Sequence, residues 1–266
     1  MLSGGRCLGA GLAGIALAIA GVLAGPAAAG APSVERQTPA QTLMSDIPAP
    51  APAGSTAGEY YKNLHALQQI PAERLIPAML QNRTSLGVDC TYCHTPGNWP
   101  SDGVPNKLKA RTHFQMVAYL RDEHFDKKPM VTCWTCHRGH AVPESLPEDG
   151  EMTQRVATMM NLAARDTDKP AEKVFMNIQT LKGVPAGRFP QIMTMFSRSL
   201  GVRCNFCHLP DNFASDDKDN KKMARKMLGM VRGTLGKFYN GDGPVACFTC
   251  HHGAETPEIS AGKAAD

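Results

Sequence analysis

Cys90-Thr91-Tyr92-Cys93-His94, Cys133-Trp134-Thr135-Cys136-His137, Cys204-Asn205-Phe206-Cys207-His208 and Cys247-Phe248-Thr249-Cys250-His251 are four copies of one pentapeptide, C-x-x-C-H. This is the attachment pattern of c-type haem. The two thiols add across the two vinyl groups of one porphyrin, and the adjoining His is held under the iron as its proximal ligand. The four copies use eight of the nine cysteines. Four covalently attached haems are therefore expected, with the cysteines committed to thioethers rather than disulfides. Zinc knuckles are the other chemistry of such residues. Zinc sites, however, close four ligands in one local cluster, whereas the two motifs of each pair stand 43 residues apart.

Only 6% of the 266 residues are aromatic, so the protein alone supplies a thin core. Four large apolar porphyrins would complete it, and the chain without them is expected to fold poorly. The formal charge is +4, before about −2 per haem from ionised propionates. Lysines and arginines are scattered among acids and form no basic stripe, so no nucleic-acid partner is expected. Arg6, the uncharged run Leu8 to Ala24 and the small residues Ala27-Ala28-Ala29 read as an export signal over 1–29. The apolar run is short for a membrane span; an uncleaved N-terminal anchor is the other reading. Cys7 precedes the run and would leave with the signal. An exported, periplasmic location suits covalent haem attachment.

Adding 114 to a residue number carries one half of the chain onto the other without a gap. Cys90 falls on Cys204, Cys133 on Cys247, Met79 on Met193, Asn63 on Asn177, Asp102 on Asp216, Arg111 on Arg225 and Gly139 on Gly253. The chain thus divides into a flexible leader 30–59, a first dihaem repeat 60–143, a linker 144–173, a second dihaem repeat 174–257 and a frayed tail 258–266. The fold class is all-α. In each repeat a first helix runs from Pro71 (Pro185) to Leu86 (Leu200) and ends at Gly87 (Gly201), with Pro tolerated in the first turn and Gly suited to the C-terminus. A second helix covers 106–122 (220–236), and Glu151 to Ala164 forms a linker helix. No stretch demands a sheet.

Each iron needs a second axial ligand: Met raises the potential, His lowers it, and an open position admits substrates. Met79 and Met193 each stand 11 residues before their motif, on the first helix, where a helix laid across the distal face would bring the sulfur to the iron. Met223, Met227 and Met230 line one face of the second helix in the second repeat; Lys109, His113 and Met116 hold those places in the first. Pattern alone leaves positions 113/227 and 116/230 open, and a Met stripe also suits core packing.

Several stretches together resemble the tetrahaem cytochrome c subunit of photosynthetic reaction centres and related exported cytochromes with the same dihaem domain. They are Tyr61 to Leu67 with Phe175 to Leu181, Val184 to Phe189 with Ile192-Met193-Thr194, the run Ala224-Arg225-Lys226-Met227-Leu228-Gly229-Met230, and Thr132 to Gly139. The resemblance implies that Met79 and Met193 are distal ligands. It also selects Met227, and therefore His113 in the first repeat, which predicts a bis-His haem on the second motif. The family's fourth haem borrows a His from the first half, which makes His124 the alternative to Met227. His65, His140 and His252 are left without a ligand role.

The function implied is electron transfer along a haem chain between redox-protein partners, with the reaction-centre membrane subunits as acceptor. An exported carrier in a non-photosynthetic respiratory chain is the alternative. A multihaem reductase or peroxidase would need an open distal site, and a ligand is available for every haem; neither an enzymatic role nor a small-molecule substrate is expected. Lys107, Lys109, Arg111, Lys218, Lys221, Lys222, Arg225 and Lys226 flank the second helices. They read as a solvated face or as a docking patch for an acidic partner.

Overall fold

The computed structural model describes residues 51–264; the export signal, Cys7 and leader residues 30–50 lie outside the described residues. Eight α-helices appear: α1 Ala57–Tyr60, α2 Leu75–Leu86, α3 Pro105–His124, α4 Cys133–His137, α5 Gly150–Met160, α6 Phe189–Leu200, α7 Asp219–Phe238 and α8 Cys247–His251. The 114-residue register holds in three dimensions, since α2, α3 and α4 recur as α6, α7 and α8. Short 3-10 turns, Ala72–Arg74 and Ala186–Arg188, lead into α2 and α6. The prolines at 71 and 185 therefore stand one residue ahead of a 3-10 turn rather than within the α-helix.

Both first helices end as the glycines predict. Gly87 and Gly201 lie in the left-handed region, with φ of +64° and +66°. Each also sits where two backbones touch. Gly139 N–H donates to the Ser85 carbonyl at 2.8 Å, and Gly253 N–H to Ser199 at 2.9 Å. A β-carbon at Gly87 or Gly201 would overlap the carbonyl oxygen of Gly139 or Gly253. These contacts dock the end of the first helix on the turn after the second motif. Gly201→Ala is expected to cost on the order of 2 kcal/mol from left-handed strain alone, plus the overlap. Gly97 has φ of +70° with open space around it, so Gly97→Ala should pay only the strain. Urea unfolding of the two variants checks the difference.

The halves interlock through α3 and α7, which pack on one another, and through α4 against α8. Met116, Leu120 and Val131 form a small buried cluster, covered by Tyr119, Phe125, Met230, Phe238, Tyr239 and Val245. Among the described residues buried apolar side chains are otherwise few, most of them alanines, as the low aromatic content suggests. Thr135 and Thr234, at 1% and 0% exposure, are among the most buried side chains.

Three expectations need correction. Residues 51–59 are not a loose leader end: Ala57 N–H donates to Ile70 O and Ala72 N–H to Ser55 O, and Ala57 is buried. Glu59 accepts from the Thr56 N–H at 2.7 Å and starts α1. The tail is not frayed either. It forms a small antiparallel pair, β1 Glu258–Ser260 with β2 Lys263–Ala264. That pair reaches back to the first repeat: Thr132 Oγ1 donates to Ile259 O at 2.6 Å, and Trp134 Nε1 to Glu258 Oε2 at 3.2 Å. Lastly, the linker helix stops at Met160, with Asn161 in the left-handed region. Asp149 caps its start by accepting from Met152 N–H at 2.8 Å.

Candidate functional site

The four C-x-x-C-H segments take two local forms. The first and third form 3-10 turns, Cys90–Tyr92 and Cys204–Phe206. The second and fourth form one α-helical turn each. The sequence explains the difference. In the second and fourth, a Thr stands just before the second Cys. Its hydroxyl accepts the N–H of Thr132 or Ala246 at 3.0 Å and so satisfies a free donor at the helix start.

All four motif histidines are oriented alike. His94 Nδ1 lies 3.2 Å from Trp99 O, His137 Nδ1 3.0 Å from His140 O, His208 Nδ1 2.9 Å from Phe213 O and His251 Nδ1 2.9 Å from Ala254 O. A carbonyl only accepts, so Nδ1 carries the proton and Nε2 keeps its lone pair. That is the tautomer a metal requires. Burial holds each of the four below the ordinary histidine range, so they stay neutral at pH 7.

A cleft of about 1610 Å³, its open mouth included, runs through the first repeat past Met79, Cys90, Cys93, His94, His113 and His137. His113 faces His137 across it, with ring centroids 5.8 Å apart and planes tilted by 36°. Two imidazoles binding one metal through bonds of about 2 Å need a separation of about this size. Burial also keeps His113 neutral. Met79 lines the same cleft; Met193 and Met227 are half-buried on α6 and α7. Met116 is spent on the core cluster, with Met230 packed against it. His124 is exposed at the end of α3, edge-on to Tyr119.

Between the repeats, Cys136 Sγ and Cys250 Sγ approach to 3.4 Å. Arg138 follows His137 with its Nε and Nη2 buried and unpartnered among the described residues. A bare buried guanidinium is costly; this interior suits groups that bring their own negative charge.

The model of the family described as photosynthetic reaction centre cytochrome C subunit matches residues 9–165 and 149–264. The chain belongs to this family. It is 26% identical over 282 residues to the photosynthetic reaction center cytochrome c subunit of Thermochromatium tepidum, covering 88% of this chain and 68% of that one. The namesake protein of Rubrivivax gelatinosus is 24% identical over 284 residues, covering 88% and 77%. Cytochrome c-554 of Chloroflexus aurantiacus is 39% identical over 85 residues, 30% of this chain and 20% of that one.

Members of a cytochrome c family carry covalent c-type haem, and the residues here fit it. The thiols form no disulfides among the described residues, the histidines present free Nε2 atoms, and the cleft of the first repeat is apolar. No helix among the described residues is long and apolar enough to cross a membrane.

Sequence reasoning missed the polar frame around the first motif of each repeat. Asp102 binds Asn63 Nδ2 at 2.9 Å and Arg111 at 2.8 Å, and Asp216 binds Asn177 at 2.9 Å and Arg225 at 2.8 Å. The guanidinium beside each carboxylate holds it below its usual range. Lys107 and Lys221 are only 12% exposed, Arg111 18% and Arg225 16%. These four are therefore neither solvated nor free for docking, which corrects the basic-face reading for them, while Lys109, Lys222 and Lys226 are exposed. Their exact recurrence after 114 residues was the signal available.

Proposed function

We propose that this chain is a tetrahaem c-type cytochrome that moves electrons along a line of haems between redox proteins. Two dihaem repeats, 60–143 and 174–257, would hold the cofactors, with Cys90/Cys93, Cys133/Cys136, Cys204/Cys207 and Cys247/Cys250 as thioether anchors. His94, His137, His208 and His251 would be proximal ligands. Met79, His113, Met193 and Met227 would be distal ligands of the first to fourth haems. The name shared by its relatives points to a reaction centre as acceptor, with the export signal delivering the chain to the periplasmic side.

When bound, the haems supply one-electron Fe(III)/Fe(II) chemistry; the chain's residues determine where it happens. The observation that carries the reading is the 3.4 Å approach of Cys136 and Cys250. It brings the second anchors of the two repeats together, so the inner sites would adjoin and the outer ones would lie to either side. His113 and Met227 occupy corresponding places on α3 and α7, so the inner sites would differ in axial ligand. As a distal ligand His113 would close the face opposite His137 and would leave no open position there for a substrate.

Intact-mass measurement of the denatured, exported protein tests the count. An excess of four haems over the polypeptide is expected; bare polypeptide, or fewer haems with all motifs intact, would refute it.

A further inference from the structure

We infer that Lys107 and Lys221 are positioning residues that raise the potentials of the haems on the first motif of each repeat, acting through the proximal histidines. The inference rests on the haem sites proposed above. Lys107 Nζ donates to three successive carbonyls, Trp99 at 2.9 Å, Pro100 at 2.8 Å and Ser101 at 2.9 Å. Lys221 repeats this on Phe213 at 2.8 Å, Ala214 at 3.0 Å and Ser215 at 2.8 Å. The first carbonyl of each trio is the one that accepts the hydrogen bond from the histidine's Nδ1–H, His94 in one repeat and His208 in the other. The residues bearing it differ, Trp99 and Phe213; the shared oxygen does not.

Two consequences follow. A carbonyl that accepts a hydrogen bond from Nδ1–H raises the basicity of the ligating Nε2, which favours Fe(III). An ammonium on the same oxygen draws away that electron density, weakening the histidine's donation. Its charge also favours Fe(II), the state reached by adding one electron with no proton moved. Both effects raise the potential. Burying an ammonium is costly. Here Asp102 at 3.4 Å and Asp216 at 3.6 Å offset part of that cost. The inner sites lack the device: among the described residues, no lysine or arginine side chain donates to His140 O or Ala254 O, the acceptors for His137 and His251. The shared carbonyl thus distinguishes outer from inner sites, the inner pair having the buried Arg138 guanidinium near His251 instead.

The test uses the full-length holoprotein. Spectroelectrochemical titration should resolve four one-electron components. Lys107→Gln is expected to lower one midpoint and Lys221→Gln a different one, with the other components unmoved and four haems retained. Lys107→Arg, which keeps charge and donors, should restore the wild-type value. Unmoved midpoints in both Gln variants would overturn the inference. So would loss of haem or of the Met–iron band in both, since the lysines would then serve only to hold the loops. A wild-type protein without four haems would sink the site assignment as well, which separates the two failures.

Discussion

Replacing His113 by Met is expected to raise the potential of the second haem by on the order of 0.1 V, within the about 0.8 V that axial ligation spans. The ring of His113 stands opposite His137 at 5.8 Å, and both imidazoles are held neutral by burial. A nitrogen ligand stabilises Fe(III) more than a thioether does, so the wild-type haem here should be the lowest of the four. The variant should gain a Met–iron charge-transfer band, and magnetic circular dichroism should lose its bis-His signature. Met227→His makes the converse change on α7: one midpoint falls and a second bis-His signature appears. If His113→Met leaves the bis-His signal intact, His113 is not the ligand. A surviving bis-His signal would belong to the fourth haem, for which His124, edge-on to Tyr119 at the end of α3, is the alternative to Met227.

Removing the second haem by a Cys133→Ala/Cys136→Ala double substitution should cut the route between the repeats. Tunnelling decays steeply with gap, and the closest approach of the two repeats' anchors is the 3.4 Å contact of Cys136 with Cys250. The mass should fall by one haem. Electron exchange between the first haem and those of the second repeat, followed by rapid mixing, should slow by orders of magnitude. The matching loss at Cys204 and Cys207, an outer site, should shorten the line yet leave exchange among the first, second and fourth haems fast. Equal slowing in both variants would mean that the inner sites do not form the bridge.

Much of this arrangement is legible in the amino-acid sequence. The glycines at 87 and 201 announced helix ends because a left-handed residue is needed there, and the structure shows both at positive φ. Helices over 106–122 and 220–236 were readable from uninterrupted runs bounded by loop residues; the structure extends them to Pro105–His124 and Asp219–Phe238. The tail was misread because its polar, small residues carry no packing signal. Its order comes from a partner 127 positions away, Thr132, which binds Ile259. Lys107 and Lys221 were misread for a related reason. A charge next to other charges looks solvated in sequence, and only the loop folded around Lys107 shows three carbonyls aimed at it.

The sequence by itself determined the chemistry and its repetition, since cofactor attachment depends on thiols and an imidazole only a few bonds apart, and duplication preserves spacing. Tertiary structure alone decided what lies opposite what. It set His113 against His137, withdrew Met116 into the core, and brought Cys136 to Cys250. Those pairings join residues far apart in the chain, and they arise from helix packing and burial, which no local spacing encodes.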